Sequence, residues 1–179
     1  MISVLSDSHV PGRADRIPQR ILDRAGEAET LVHAGDLTSK RVLKDLQSRD
    51  TGIVAVKGNC DSLELPNSET FTLGGTDVGV YHGTGIQPRG DPDTLSESIA
   101  EKLGVDILIH GHTHDRMARV HNDVLLVNPG SCTGVGGGTA EKGTPSMAEI
   151  EIETGTAEVT HLMLHGKSLE SRTQSFELQ

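Results

Sequence analysis

The chain has 179 residues, enough for one domain with a sizeable hydrophobic core. Its 26 acidic and 16 basic residues give a formal net charge of −10, which disfavours general binding to nucleic acid or anionic membrane. No stretch approaches the roughly 20 apolar residues of a membrane span, and the N-terminus lacks a secretion-signal pattern. The two cysteines, Cys60 and Cys132, are too few for a disulfide framework, so we expect a cytoplasmic protein.

The acidic excess has two explanations. Carboxylates are spread along the whole chain and only three residues are aromatic, a composition that fits adaptation to high salt, where repulsion among carboxylates is screened. An ordinary acidic cytosolic protein is the alternative. Loss of structure in dilute buffer would favour the first explanation.

The first half of the chain alternates short apolar runs with amphipathic segments. Apolar runs at 2–6, 30–34 and 53–56 predict strands, and helical spacing of apolar residues predicts helices at 17–25 and 39–48. This β-α-β-α-β order predicts a parallel sheet with right-handed crossovers.

The second half changes to paired runs separated by short turns. Hairpins are predicted for 69–73 with 77–82, for 117–121 with 124–127 and for 147–153 with 156–164. A helix from 93 or 94 to 103 precedes a buried strand at 105–108. The glycine-rich segment 134–145 predicts a mobile loop or flap, and the last dozen residues are expected to fray. We therefore predict one domain, residues 1–179, with two sheets packed face to face and helices outside.

Polar side chains recur where the predicted strands end. Five strand ends carry metal-capable groups, namely Asp7 and His9, Asp36, Asn59, His82, and His112 with His114. In open α/β sheets ligands bind beyond the carboxyl ends of the strands, so these groups could gather at one edge. The stretch Ile109–Asp115 taken alone could be only a polar loop, but the repetition of the pattern favours a site.

The chemistry of this set suits metal binding. Two carboxylates, four imidazoles and one amide are enough for two divalent ions, and the mixture favours Mn²⁺, Fe²⁺, Zn²⁺ or Ni²⁺ over Mg²⁺ or Ca²⁺. A carboxylate that stands alone, as Asp36 does, can bridge two ions roughly 3.5–4 Å apart, which is the geometry of two-metal phosphoryl transfer.

The motifs Asp7-x-His9, Gly35-Asp36, Gly58-Asn59, His82-Gly83 and Gly111-His112-Thr113-His114 resemble, in order, those of calcineurin-like metallophosphoesterases. The variant Gly58–Asp61 and the segment Asn128–Ser131 are most similar to the small bacterial and archaeal phosphodiesterase branch, which also contains the retromer cargo subunit of eukaryotes. The resemblance implies an α/β fold, a four-layer α/β/β/α sandwich of two mixed sheets with outer helices. It also implies two divalent metal ions per chain, with manganese favoured and nickel, iron or zinc as alternatives.

The same resemblance implies roles for individual residues. The first metal would be held by Asp7, His9, Asp36 and His114. The second would be held by Asp36, Asn59, His82 and His112. Asp36, Asn59 and His82 are the expected catalytic residues of a phosphodiesterase in which a metal-bridging hydroxide attacks phosphorus in line with the leaving oxygen.

One position departs from the wider superfamily. Many members carry histidine directly after the motif asparagine, where it can protonate the leaving group, whereas this chain has Cys60. Cysteine is a poor general acid for this task, and Asp61 could instead orient a neighbouring histidine. Protonation contributes typically about 10²–10⁴-fold, so we expect substrates with good leaving groups to be favoured.

Several other residues have two interpretations each. His33 and His110 are expected to be packed, hydrogen-bonded histidines, with support of the metal ligands as the alternative. Asn128 and Ser131 could donate hydrogen bonds at the site or form a turn. Arg13, like Arg89, could meet a phosphate or be solvated. The remaining histidines are expected at the surface, namely His121, His161 and His165.

Three functions are compatible with these motifs. The first is hydrolysis of a small phosphodiester, the second is a non-catalytic protein-interaction module on the same fold, and the third is metal storage or sensing. The complete ligand set favours catalysis. The branch also makes a homodimer an expected state.

Overall fold

The computed structural model describes residues 1–49, 51–138 and 141–178. The strands within these ranges are β1 Ile2–Leu5, β2 Thr30–His33, β3 Gly52–Ala55, β4 Ser68–Leu73, β5 Thr76–Tyr81, β6 Ile107–Ile109, β7 Met117–His121, β8 Val124–Asn128, β9 Ser146–Glu153, β10 Thr156–His165 and β11 Ser168–Glu177. The helices are α1 Gln19–Ala25, α2 Lys40–Gln47, a π-helix Thr94–Ala100 and its short continuation α3 Glu101–Leu103.

The strands form two mixed sheets. The first sheet has the order β11-β10-β9-β1-β2-β3, in which β1, β2 and β3 are parallel and β9, β10 and β11 run antiparallel. The second sheet has the order β4-β5-β6-β8-β7, with β5, β6 and β8 parallel and an antiparallel strand at each edge.

The alternation of side chains along each strand builds the layers. In β1, Val4 enters the core between the two sheets while Leu5 joins the cluster with α1 and α2. In β6, Ile107 and Ile109 face the first sheet while Leu108 packs with Leu95 of the π-helix. Each fully buried aliphatic side chain contributes roughly 1.5–3 kcal/mol to the free energy of unfolding. The predicted four-layer sandwich with outer helices is thus confirmed.

One expectation from the sequence is wrong. Residues 168–177 do not fray, because they form β11 and pair with β10 along its whole length. This strand escaped detection because its side chains are mostly exposed and polar, so its stability comes from main-chain pairing and not from an alternating apolar pattern. The helix predicted to end at residue 103 is present, with Thr94–Ala100 in the π-helical form and Glu101–Leu103 in the α-helical form.

The glycine-rich segment is also more ordered than predicted over its described residues. Val135 is buried, and a Cβ on Gly137 would lie 2.5 Å from the carbonyl oxygen of Thr113. Residues 134–138 are therefore packed against the turn that follows β6, and are no free flap. Part of the predicted loop lies outside the described residues.

No helix in the described ranges is both long enough and apolar enough to cross a membrane.

Candidate metal centre

The candidate ligands follow the carboxyl ends of five strands, from both sheets. Asp7 and His9 follow β1, Asp36 follows β2, and Asn59 follows β3. From the second sheet, His82 follows β5, and His112 and His114 follow β6. The structure brings these strand ends together at one edge of the sandwich, because the carboxyl ends of parallel strands lie on the same side of a sheet.

Left-handed backbone turns aim these side chains inward. The φ angles are 52° at Asp7, 49° at His9 and 57° at Asp36, and 69° and 65° at His112 and His114. Asp and His tolerate this region better than most residues, yet each instance costs of order 1–3 kcal/mol. The turns are held by the amide of Asp7, which donates to Gly35 O, and the amide of His9, which donates to Asp36 O, each at 3.0 Å.

Two buried carboxylates form the middle of the cluster. Asp7 is completely buried and Asp36 is 2% exposed. Asp7 Oδ1 lies 3.2 Å from His114 Nε2 and 3.9 Å from His82 Nε2. Asp36 Oδ2 lies 3.4 Å from His9 Nε2 and 3.5 Å from His82 Nε2, so it stands between groups from both sheets.

Backbone carbonyl groups fix the tautomers of two histidines. His82 Nδ1 donates to Ala34 O at 2.7 Å, and His114 Nδ1 donates to Val135 O at 2.6 Å. In a neutral ring the other nitrogen then carries a lone pair, and each Nε2 lies 3.2 to 3.5 Å from a carboxylate oxygen. His82 Nε2 is buried without a hydrogen-bond partner. Lone pairs facing carboxylates repel unless a cation lies between them, so the donor set fits divalent metals.

Electrostatics show the same demand for positive charge. Burial raises the pKa of Asp36, but the His82 ring 3.5 Å from its carboxylate outweighs this effect and holds that pKa below its ordinary value. Burial lowers the pKa of His82, but Asp36 and Asp7 raise it by more, so the net shift is upward. Asp7 and His114 form a second such couple, with a lowered pKa for Asp7 and a raised pKa for His114. These shifts keep both carboxylates charged, and each carboxylate favours positive charge on the neighbouring histidine.

Among the described residues, three groups of side chains offer ligand atoms within 4.8 Å of one another. Asp7–His9–His114 is part of the expected first set, whereas Asp7–Asp36–His82 combines Asp7 of the first set with Asp36 and His82 of the second. The third contains His9, Asp36 and Cys60, which the sequence did not suggest as a ligand group. The only signal for Cys60 was its position next to Asn59. Burial, followed by the hydrogen bond to Asp36, raises the pKa of the Cys60 thiol to about 11.

His112 and Asn59 lie further from the carboxylates. The His112 amide donates to Asp7 Oδ2 at 3.1 Å, and its ring meets the His82 ring edge-on with centroids 5.1 Å apart. Burial lowers the pKa of His112 to about 4, which leaves the ring neutral and able to ligate. Asn59 is exposed, and its amide nitrogen donates to Cys60 Sγ at 3.2 Å.

Asp61 has a different partner from the one predicted. Its carboxylate accepts the amides of Asp36, Gly58 and Thr38 at 2.9, 2.8 and 2.6 Å, and the described structure gives it no histidine partner. It therefore fixes the turns that carry Asp36 and Asn59.

Asn128 and Ser131 bind the protein backbone. Asn128 Nδ2 donates to Gly111 O at 2.9 Å and Thr113 Oγ1 at 3.1 Å, which holds the turn between His110 and His114. Ser131 Oγ donates to Asp7 O at 2.8 Å and accepts the Val135 amide at 3.0 Å. Both support the turns that carry the candidate ligands.

The other histidines divide into buried and exposed groups. His33 Nε2 pairs with Ser8 Oγ at 2.8 Å, and His110 Nδ1 lies 3.3 Å from Asn128 Nδ2, as expected for packed histidines. His161 is not at the surface: it is 5% exposed and its Nε2 donates to Asn128 O at 2.8 Å. His165 is exposed, and His121 forms an ion pair with Asp93.

Two arginines flank the cluster. Arg13 Nη2 donates to Gly136 O at 2.9 Å and to Gly138 O at 3.2 Å. Arg89 Nη1 would lie 3.8 Å and 3.6 Å from a Cβ built on Gly137 and on Gly138. Both side chains are exposed, and Arg13 in addition holds the backbone of residues 136–138.

Comparisons with known proteins identify the family of the chain. Residues 1–155 match the calcineurin-like phosphoesterase superfamily domain. A probable metallophosphoesterase of Methanocaldococcus jannaschii is 40% identical over 133 residues, which cover 74% of this chain and 68% of that protein. The chain belongs to the calcineurin-like phosphoesterase superfamily.

Solved structures share the fold. Wild-type Vps29 of Entamoeba histolytica, crystallised with Zn²⁺, superposes with a TM-score of 0.86 and 30% identity, covering 97% of this chain and 98% of that one. A structure described as a novel archaeal phosphodiesterase has a TM-score of 0.64 and 22% identity, covering 98% and 99%. That second likeness bears on the fold alone.

Proposed function

We infer that the protein is a divalent-metal-dependent phosphodiesterase with two metal ions. The inference rests on the fixed tautomers of His82 and His114, whose Nε2 lone pairs face Asp36 and Asp7 across gaps of 3.2 to 3.9 Å. Family membership and the archaeal relatives support phosphoester hydrolysis.

The proposed ligand sets share Asp36. The first metal takes Asp7, His9, Asp36 and His114. The second takes Asp36, Asn59, His82 and His112. Manganese suits this mixture of carboxylate and imidazole ligands, with iron, nickel and zinc as alternatives. Asn59 would have to turn its carbonyl oxygen away from its present contact with Cys60 to complete the second set.

When bound, the two metals acidify a water molecule and neutralise charge on the phosphate oxygens. In the reaction one water oxygen bonds to phosphorus, one P–O ester bond breaks, and a proton ends on the leaving oxygen. Asp7 and Asp36 remain ionised and fix the charge of the centre, while Ala34 O and Val135 O keep the histidine rings oriented. Cys60, with a pKa of about 11, releases a proton poorly at neutral pH, so diesters with good leaving groups should react fastest.

The substrate proposed is a small diester. A net charge of −10 disfavours binding of long polyanions such as nucleic acids, because the protein surface repels them. We also propose a cytoplasmic location. Resemblance to the small phosphodiesterase branch is the basis for proposing a homodimer.

A non-catalytic interaction module is the second candidate. Its support is the likeness to Vps29 of Entamoeba histolytica, which extends over 97% of this chain at 30% identity. That structure was solved with bound Zn²⁺. A Vps29 of Chaetomium thermophilum has also been crystallised with a cyclic peptide, at 25% identity and a TM-score of 0.78. An intact site can persist in a protein that binds partners.

The test combines metal analysis with hydrolysis. We expect about two divalent ions per chain and Mn²⁺-dependent release of 4-nitrophenolate from bis(4-nitrophenyl) phosphate, faster than from 4-nitrophenyl phosphate. Asp36→Asn should lower kcat/KM by about 10³-fold and reduce metal content. Asp45→Asn, an exposed carboxylate on α2, is the matched control and should change neither.

Two outcomes would overturn the proposal. Hydrolysis that survives Asp36→Asn would remove the shared carboxylate from the mechanism. A metal-loaded wild-type protein without activity towards either ester would favour the interaction module.

A further inference from the structure

Arg13 and Arg89 approach the same short backbone segment from different parts of the chain. Arg13 comes from the loop after β1 and donates to the carbonyl oxygens of Gly136 and Gly138. Arg89 comes from the loop after β5, and its Nη1 lies 3.6 Å from the Cβ position of Gly138. The two guanidinium groups therefore converge at Gly138.

This segment adjoins the candidate metal ligands. Val135 O accepts the Nδ1 proton of His114, and the Cβ position of Gly137 touches Thr113 O, between His112 and His114. A Cβ on Gly90, the residue after Arg89, would lie 2.7 Å from Thr113 Cγ2 in the same turn. The arginines thus stand at the rim of the proposed centre and not on a remote face.

The two positive charges lack a counter-ion among the described residues. Among residues 1–49, 51–138 and 141–178, neither Arg13 nor Arg89 forms an ion pair with a carboxylate, although the chain has an excess of acidic residues. Arg13 uses one of its two terminal nitrogens for the loop carbonyls, and Arg89 remains exposed. Several guanidinium N–H donors are therefore available to an anion.

A simple diester does not require them. Two divalent ions bring four positive charges, and Asp7 and Asp36 cancel two of these. The attacking hydroxide cancels a third, and the one positive charge that remains already balances the single negative charge of a phosphodiester. Additional cations at the rim are useful when the substrate carries additional negative charge, and a planar guanidinium matches the geometry of phosphate.

We propose that Arg13 and Arg89 form an anion-binding pair that selects small phosphodiesters bearing a second phosphate group beyond the scissile one. The proposal rests on the proposed phosphodiesterase function and adds a substrate class to it. Arg13 also positions the Gly136–Gly138 segment, whereas Arg89 has the binding role alone and is the cleaner residue to change.

The test uses two esters with the same leaving group. One is thymidine 5′-(4-nitrophenyl phosphate), and the other carries a further 3′-phosphate. In the Mn²⁺-loaded wild type we expect the 3′-phosphate to lower KM about 10-fold with little change in kcat, as a charge-assisted hydrogen bond provides. Raising the salt concentration should reduce this preference.

Variants then assign the preference to the pair. Arg89→Gln should abolish most of it, so that the two esters have nearly equal KM values, while Arg89→Lys should keep part of it. Lys102→Gln removes the same charge from an exposed position on α3, before β6 and far from the strand ends of the site, and should have no effect. Circular dichroism of each variant checks that it is folded.

Binding without turnover separates this proposal from the proposed function. Calorimetric titration of the metal-loaded protein should show thymidine 3′,5′-bisphosphate binding about 10-fold more tightly than thymidine 5′-phosphate, with the difference lost in Arg89→Gln. Equal affinities in the wild type, or a preference that survives Arg89→Gln, overturn the anion-binding pair. Tight binding without hydrolysis of either ester would instead overturn the proposed function and leave the pair standing.

Discussion

The turns around Asp7 and the edge formed by β9, β10 and β11 belong to the same sheet, yet they are stabilised in different ways. Of the nine described non-glycine residues with left-handed φ, five are candidate metal ligands in the turns. The edge is a regular antiparallel ladder whose outermost strand, β11, has mostly exposed side chains, and Thr154, at one hairpin turn, is its described non-glycine residue with such a φ. Strain and buried charge are concentrated where the ligands converge, which is where function is expected.

The largest expected effect is that of pH on stability, because the site contains several buried histidines. Burial lowers the pKa of His33, His110 and His112 to about 4, below the 6.5 of an unfolded chain. As the pH falls below 6.5 the unfolded chain takes up protons first, so stability is lost until the pH reaches about 4. In a chelator we expect a loss of about 2 kcal/mol between pH 6.5 and pH 5 for each of the completely buried His33 and His110.

Above pH 6.5 we expect stability to fall as the pH rises. His82 and His114 have raised pKa values in the metal-free site, so the stability they provide is present below 6.5 and is lost as the pH rises through their folded values. Urea unfolding of the metal-free protein should therefore show greatest stability near pH 6.5. A flat profile from pH 5 to pH 8 would show that these histidines titrate alike in both states.

A glycine substitution compares the two kinds of turn directly. A Cβ on Gly58 would overlap the backbone nitrogen and carboxylate of Asp36, so Gly58→Ala should cost about 3 kcal/mol and most of the activity. Gly75, in the β4–β5 hairpin, has a φ of +87° but nothing within 4 Å of its Cβ position. Gly75→Ala should cost only the left-handed strain, about 1 kcal/mol. Equal losses in denaturant unfolding would remove the distinction.

The hydrogen bonds of Asp61 provide the next test. Asp61→Ala leaves the amides of Asp36, Gly58 and Thr38 without their acceptor, and should cost about 2 kcal/mol and lower metal affinity by about 10-fold or more. Asp61→Asn retains acceptor capacity through one oxygen and is expected to fall between the wild type and the alanine variant. Unchanged metal affinity in Asp61→Ala would contradict a role in fixing the turns.

The smallest effect is expected at the β9–β10 hairpin. Thr154 and Gly155 have φ angles of 48° and 80°, and a β-branched residue is poorly suited to the first position. Thr154→Asn should raise stability by about 0.5 kcal/mol, measured as an increase in Tm, without affecting hydrolysis. A decrease in Tm would show that Thr154 has a stabilising contact that outweighs its backbone strain.

The strands, the sandwich and the candidate ligands were accessible from the sequence because local patterns encode them. Apolar runs such as Ile107–Ile109 mark buried strands, and a polar residue directly after each run marks its end. The C-terminal strand was missed because an exposed edge strand needs no apolar alternation. His161 was misplaced for a related reason: its burial depends on Asn128, 33 positions away.

The sequence by itself determined the family, the order of the elements and which residue types meet at the strand ends. Tertiary structure alone decided the partners that give those residues their properties. Ala34 O and Val135 O set the tautomers of His82 and His114, and backbone carbonyls carry no signal in the sequence. Asp61 proved to hold backbone amides, Cys60 to join His9 and Asp36, and Arg13 and Arg89 to meet at Gly138. Most of these contacts join segments that are far apart along the chain, so they exist only once the strands have assembled.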